Sequence, residues 1–195
     1  MKKKTDVLSF VDSAKNGNRK SFEKLVLLFQ KDVCYYINSL ISKQSVAVEL
    51  TQETFIRAYN ALKTIKNPNQ FKFWLFGIAR NVTFVHLRKM GNQNQVDIQD
   101  LEHPSYDSQR EEQIKDVISV IFNKLRDTEK EALVLIDKEG FSYDEAAEIL
   151  NITVANLTSR VNRARDEFIK IYESLGVDFT GLLVLPKKPN NGDAA

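Results

Sequence analysis

Two sets of side chains in this chain have types and spacings suited to recognition chemistry. The first lies in residues 70–88, where Lys72, Arg80, Asn81 and Arg88 are interleaved with Phe71, Phe73, Trp74, Phe76 and Phe84. Planar rings stack on unpaired bases and neighbouring cations neutralise phosphates, so such a surface suits opened nucleic acid. The second is Asn156, Ser159, Arg160, Asn162 and Arg163, whose amides, hydroxyl and guanidinium groups can hydrogen-bond base edges or phosphates. Bond-making chemistry has no comparable set. His86 and His103 lack neighbours of triad or metal-ligand type, no paired carboxylates mark a cleft, and no Gly-rich phosphate loop is present. No catalytic residue, metal ligand or cofactor is therefore expected, and an enzyme acting on nucleic acid is a poor reading.

The elements that must carry these residues are helices. In 70–88, Phe71, Trp74, Leu75, Ile78, Val82 and Val85 recur at three- and four-residue steps and form one apolar stripe. Phe73, Phe76 and Phe84 fall outside it, beside Lys72 and Arg80, which predicts an exposed aromatic and cationic face. Taken alone, the stretch also fits a core helix with two buried faces. Ahead of it the periodicity predicts helices over 7–16, 20–42 and 46–62, with 67–69 (Asn-Pro-Asn) breaking the chain. Cys34 lies inside the second pattern as a packed, neutral side chain. Residues 91–112 lose all periodicity and read as a flexible acidic linker. From Gln113 the pattern resumes through Ile114, Val117, Ile118, Ile121 and Leu125. Thr128 with Glu131 reads as a capping box opening a helix that Gly140 ends, and Ser142 with Glu145 reads as a second. Residues 179–185 are apolar and are expected to form a short strand or pack on the second domain; the last ten residues are expected to be disordered.

Composition bounds the class. In 195 residues, 7 Gly, 4 Pro and no sustained two-residue alternation indicate an all-α protein: two small helical domains joined by the linker. One cysteine allows no internal disulfide, and no apolar run approaches the ~20 residues that span a bilayer, so a reducing cytoplasm and no membrane insertion are expected. The net charge of +2 conceals an asymmetry: residues 1–90 carry +10, residues 91–112 carry −5 and residues 113–195 carry −3. A basic front half points to a polyanionic partner. A solvated Lys-rich surface would give the same charge.

Residues 142–168 have the pattern of a helix-turn-helix: a short helix, the turn Asn151-Ile152-Thr153, then a longer helix reaching about Leu175. Ala146-Ala147 permits a close helix crossing. Val154, Leu157, Val161, Ala164, Phe168 and Ile171 form the apolar stripe of the second helix. Ala155, Asn156, Ser159, Arg160, Asn162 and Arg163 are left outward, and Arg165 extends the basic cluster. In 46–62, Glu49, Gln52, Glu53, Ile56 and Asn60 share one face, while Val48, Phe55, Ala58, Tyr59 and Leu62 share the other. A lone Ile56 in a polar face suits a partner surface.

Three segments carry a family resemblance. Residues 49–55 (Glu-Leu-Thr-Gln-Glu-Thr-Phe), 74–81 (Trp-Leu-Phe-Gly-Ile-Ala-Arg-Asn) and the helix-turn-helix from Phe141 to Arg165 resemble, in order and register, the motifs of the extracytoplasmic-function (ECF) class of bacterial RNA polymerase sigma factors. The resemblance covers about residues 10–175. It implies a non-catalytic specificity subunit that binds core RNA polymerase and promoter DNA, and that is controlled by an anti-sigma factor. It also implies domains at 1–90 and 113–175, the linker 91–112 near the polymerase channel, and a tail at 176–195. By the same resemblance, Glu49, Gln52, Glu53 and Ile56 dock on core polymerase. Lys66, Lys72, Trp74, Arg80, Asn81 and Arg88 hold the unpaired −10 strand, with one base flipped into a pocket. Asn156, Ser159, Arg160, Asn162 and Arg163 read the −35 element. Three positions depart from the family pattern: Thr158 where many relatives carry Lys or Arg, Val48 for an acidic residue, and Asn151 for the turn glycine. A stand-alone helix-turn-helix regulator with a sensing or dimerising first domain is the alternative.

Overall fold

The structure is a computed structural model that describes residues 4–91, 117–118 and 120–175. Four helices build the first half: α1 (Lys4–Lys15), α2 (Arg19–Ile41), α3 (Gln44–Ala61) and α4 (Phe71–Gly91). Asn18 opens α2 by accepting a hydrogen bond from the Ser21 amide at 3.2 Å, satisfying one orphan donor of the first turn. Between α3 and α4 the chain makes two 3₁₀ turns, Leu62–Thr64 and Pro68–Gln70. Asn67 caps the second turn through the Asn69 amide at 3.1 Å, and Pro68 takes a first-turn position where a missing N–H costs nothing.

Leu25, Phe29, Val33 and Ile37 of α2 are buried with Phe71, Leu75, Ala79 and Val82 of α4 and Leu50, Phe55 and Ala58 of α3. The expected inner face of α3 needs correction. Val48 and Tyr59 are exposed, and Thr51 and Thr54 are buried instead. Each threonine donates its hydroxyl to a carbonyl of its own helix, Ala47 and Leu50, at 2.7 Å. Satisfied this way, a threonine can enter a core that an apolar template denies it.

In the second half, residues 120–124 are helical and lead to α5 (Asp127–Leu133), a π-helical turn at Val134–Lys138, α6 (Tyr143–Leu150) and α7 (Val154–Ser174). The first expected capping box is misplaced. The cap is Arg126, whose amide donates to Glu129 Oε2 at 3.2 Å, so α5 begins before Thr128 and leaves Glu131 in mid-helix. Four other punctuation marks hold. Gly140 takes φ +70, a left-handed turn that a side chain would strain. Ser142 and Glu145 exchange reciprocal bonds at the start of α6. Asn151 ends α6 at φ +53, and Thr153 caps α7 through the Asn156 amide at 3.2 Å.

Ala146, Ala147, Leu157, Val161, Ala164 and Ile171 are buried between the helices; Phe168 is half-buried and Val154, at the tip of α7, is exposed. Arg165 is not free for a ligand: it ion-pairs with Asp137 and ties α7 to the π-helical turn. Among the described residues there is no strand, and none of the helices is long and apolar enough to cross a membrane. Gly91, expected to open the linker, ends α4; the rest of the linker, 92–112 with His103, the apolar stretch 179–185 and the last ten residues lie outside the described residues. The two halves pack together, and one continuous buried cluster runs through both.

Candidate nucleic-acid and partner surfaces

On α3, Glu49, Gln52 and Ile56 are exposed and Glu53 is half-exposed, held at 2.6 Å by Arg57 one turn on. Ile56 is 57% exposed, high for a branched aliphatic side chain, and stands among exposed or half-exposed Gln52, Glu53, Tyr59 and Asn60. It forms the ridge between two grooves. One, of about 340 Å³, is lined by Glu49, Gln52 and Glu53 of α3 and by Val85, His86 and Lys89 of α4. The other, of about 420 Å³, is lined by Phe22, Phe55, Tyr59 and Asn60. An apolar ridge between polar-rimmed grooves is the anatomy of a partner surface. His86 and Lys89 line this groove although nothing in their spacing marks them; only the helix pairing brings them opposite α3.

The outward face of α7 is open. Asn156, Ser159, Asn162 and Arg163 are exposed, and Arg160 is half-buried with its Nε donating to Asn156 Oδ1 at 3.0 Å. Ser159 and Thr158 donate to backbone carbonyls one turn back, at 3.0 and 2.9 Å, leaving their oxygens as acceptors. Among the described residues the side chains of this face are small or extended and polar, as major-groove entry requires.

The α4 residues divide into three groups. Lys66, just before the helix, and Asn81 and Arg88 on it are exposed, Arg88 donating to the Phe84 carbonyl at 3.3 Å. Trp74 is half-buried, its ring 5.9 Å from that of Phe71. Lys72 and Arg80 are engaged by the second half of the chain. Arg80 Nε lies 3.1 Å from Glu131 Oε1 and its guanidinium stacks 4.5 Å from the Phe84 ring. The buried Tyr36 hydroxyl donates to the same Glu131 oxygen at 2.8 Å. Lys72 Nζ sits 3.0 Å from Glu139 Oε2, also donates to the Glu139 carbonyl, and lies 4.8 Å over the Phe141 ring.

Phe76, expected on an exposed face, is fully buried; its ring meets Phe141 edge-on at 5.1 Å. The correction has a physical cause. A second apolar face on α4 finds a partner in the second half, as the two-sided core reading allows. Burial raises the Glu131 carboxyl above its ordinary range, an effect the Arg80 charge only partly offsets, and raises the Tyr36 phenol well above its own.

Among the described residues no group of His, Cys, Asp and Glu could hold a metal ion.

Known proteins share this organisation. The family model "Sigma-70 region 2" matches residues 25–93, and "Sigma-70, region 4" matches residues 116–168. The ECF RNA polymerase sigma factor SigC of Mycobacterium tuberculosis is 31% identical over 161 residues, covering 80% of this chain and 86% of its own. SigM of Bacillus subtilis, also an ECF RNA polymerase sigma factor, is 29% identical over 158 residues, covering 78% of this chain and 95% of its own. The structure of the sigma factor RpoE from Bartonella quintana, solved with the anti-sigma factor NepR, superposes with a TM-score of 0.67 at 31% identity, over 79% of this chain and 98% of RpoE. The chain belongs to the ECF class of RNA polymerase sigma factors, a family of non-enzymatic transcription-initiation factors.

Proposed function

We propose that this sigma factor divides its work among the three surfaces. Glu49, Gln52, Glu53 and Ile56 of α3, with His86 and Lys89 across the groove, form the face that docks on core RNA polymerase. Lys66, Lys72, Trp74, Arg80, Asn81 and Arg88 hold the unpaired non-template strand of the −10 element and so favour strand opening. Asn156, Ser159, Arg160, Asn162 and Arg163 read the −35 element in the major groove. Residues 1–90 and 113–175 are the two working domains, 91–112 the acidic connection and 176–195 a tail. The protein binds and positions rather than catalyses, and works in the cytoplasm where its polymerase is. An anti-sigma factor holds it inactive, as the pairing of Bartonella quintana RpoE with NepR supports.

The observation that carries this reading is the open polar face of α7. Its supporting turn is set by Asn151 at φ +53 and the Thr153 cap, so the Asn162 and Arg163 side chains project from a rigid element. The test is reconstituted transcription. Purified protein, bacterial core polymerase and the DNA upstream of its own gene are expected to yield a discrete transcript absent without the protein. Neither transcript nor stable core binding would overturn the proposal and favour a stand-alone regulator.

A further inference from the structure

The inner face of α2 is filled by the core, where Leu25, Phe29, Val33 and Ile37 are buried. Its outer face carries a second pattern that the core does not use. Lys20, Lys24, Leu27, Lys31 and Tyr35 follow one another at steps of four, three, four and four residues. Residues so spaced are neighbours on a helix, so the five stand in one line over about 22 Å. All five are exposed. Leu27, in the middle, is 70% exposed, and Tyr35, at one end, is 43% exposed. Lys24 Nζ lies 4.8 Å over the Phe10 ring of α1. Lys138 Nζ lies 5.1 Å over the Tyr35 ring and adds a fourth ammonium group to the line.

The line itself holds no acid. Glu23, beside it, is taken by Arg19 at 3.4 Å. Among the described residues, Lys20 and Lys31 have no carboxylate partner. Like charges one turn apart on a helix repel, as Lys20 and Lys24 do, so the spacing does not serve the stability of α2. One exposed leucine is ordinary on a protein surface. This one has ammonium groups on both sides along the helix and an exposed ring two turns on, which makes an apolar centre inside a charged rim.

A second helix of opposite charge fits this line. Both helices rise about 1.5 Å per residue, so carboxylates at positions i, i+4 and i+11 of the partner fall opposite Lys20, Lys24 and Lys31. An apolar side chain at i+7 then meets Leu27 at the spacing of packed helices. A phosphate backbone would satisfy the lysines and offer Leu27 no apolar counterpart.

We propose that the outer face of α2, from Lys20 to Tyr35, is a docking site for an acidic amphipathic helix of a partner protein, with Leu27 as its apolar centre. The site shares no residue with the polymerase, −10 and −35 faces and does not rest on those assignments. Its apolar area is small, so the contact is transient and weakens with salt.

The test uses the full chain and a fluorescein-labelled helical peptide of about 18 residues, with glutamates and one leucine at the spacing above and alanines elsewhere. Fluorescence anisotropy at low salt is expected to show saturable binding. Leu27→Gln is expected to weaken it about tenfold, and so is glutamine in place of the peptide's leucine, which tests the same contact without touching the protein. The two changes together should cost little more than either, because they remove one contact. Lys24→Glu with Lys31→Glu is expected to abolish binding. Lys43→Glu with Lys63→Glu makes the same charge change at exposed positions outside the line and should weaken it much less. No binding by the parent, no loss from Leu27→Gln, or equal losses from the two charge pairs would overturn the site. An oligothymidine strand whose binding needs Lys24 and Lys31 when the peptide's does not would assign the face to nucleic acid and overturn it too. With core polymerase alone, Leu27→Gln is expected to transcribe as the parent does; a loss there would make this face part of polymerase docking and overturn a separate site.

Discussion

The outward face of α7 and the Lys72–Arg80 face of α4 are built from similar materials and stand in opposite states. On α7, Asn162 and Arg163 point into solvent, and the Arg160 to Asn156 bond on the same face stays within the helix. On α4, Lys72 and Arg80 are paired to carboxylates about fifty or more residues away in sequence, and Phe76 between them is buried. The difference lies in what flanks the cations. The α7 face is small and polar, so no apolar area draws a neighbour over it. The α4 face carries Phe76, and a fully buried aromatic side chain of this size contributes about 1.5–3 kcal/mol to whatever covers it. Cations mixed with large apolar rings attract protein as well as bases; cations mixed with Asn and Ser remain available.

The largest expected effect breaks the covered face. Arg80→Ala leaves the buried Glu131 carboxylate with the Tyr36 hydroxyl as its hydrogen-bond donor and the more distant Arg160 charge. Removing one partner of a buried pair costs about 3–5 kcal/mol; since Arg80 is a quarter exposed, about 2–3 kcal/mol is expected here. Urea unfolding of the full chain measures it. A loss below about 0.5 kcal/mol would place the pair among weak surface bridges.

On the open face the expected effects are on recognition rather than stability. Asn162→Ala and Arg163→Ala should each weaken −35-dependent transcription by about 1–3 kcal/mol if they contact bases. Urea midpoints should be unchanged, because both side chains are exposed. Arg163→Lys separates the two kinds of contact: a phosphate contact tolerates it, and a bidentate base contact does not. If either alanine variant destabilised the fold as Arg80→Ala does, the contrast between the two faces would fail.

Much of this arrangement is legible in the residues. The helix boundaries, the Ser142–Glu145 box, the left-handed Asn151 and the α7 stripe all follow from local rules, because each depends on neighbours within four positions. The errors share one origin. The Thr128–Glu131 spacing reads as a capping box, whereas Glu129 caps α5 and Glu131 faces Tyr36 and Arg80. The α4 period places Phe76 on an exposed face, whereas it lies against Phe141. Both errors concern contacts between the two halves, which no local period encodes. The signal available was global: a front half of net +10 beside a second half of net −3. Read as attraction to an external polyanion, it overlooked acids of the same chain. The buried Thr51 and Thr54 are a smaller lesson, since their in-helix hydroxyl bonds let polar residues stand in core positions.

A smaller effect tests the scaffold of the open face. Ser142→Ala removes the oxygen that accepts from the Glu145 amide at 3.2 Å. About 1 kcal/mol of stability should be lost, while Ser142→Gly should cost less. Because α6 supports α7, promoter binding should fall only in proportion to the unfolded fraction.

The smallest effect is a pH dependence of docking, and its sign is informative. Tyr36 of α2, Arg80 of α4 and Arg160 of α7 are the groups acting on Glu131. Burial wins over the two cations and raises its pKa above the ordinary carboxylate value of 4.5. The docked form therefore takes up a proton more readily than a separated form in which Glu131 is hydrated. Docking stability from this group is fully present below the ordinary value and is lost as pH rises through the raised one. The Tyr36 phenol, held well above 10, stays protonated throughout and contributes no slope. Between pH 7 and pH 5 the docked fraction of a chain spin-labelled on both halves should rise, and Glu131→Gln should remove the dependence. If acid instead loosened the domains, attraction between Glu131 and Arg80 would outweigh burial, and the covered face would be held by its charges more than by Phe76 and Phe141.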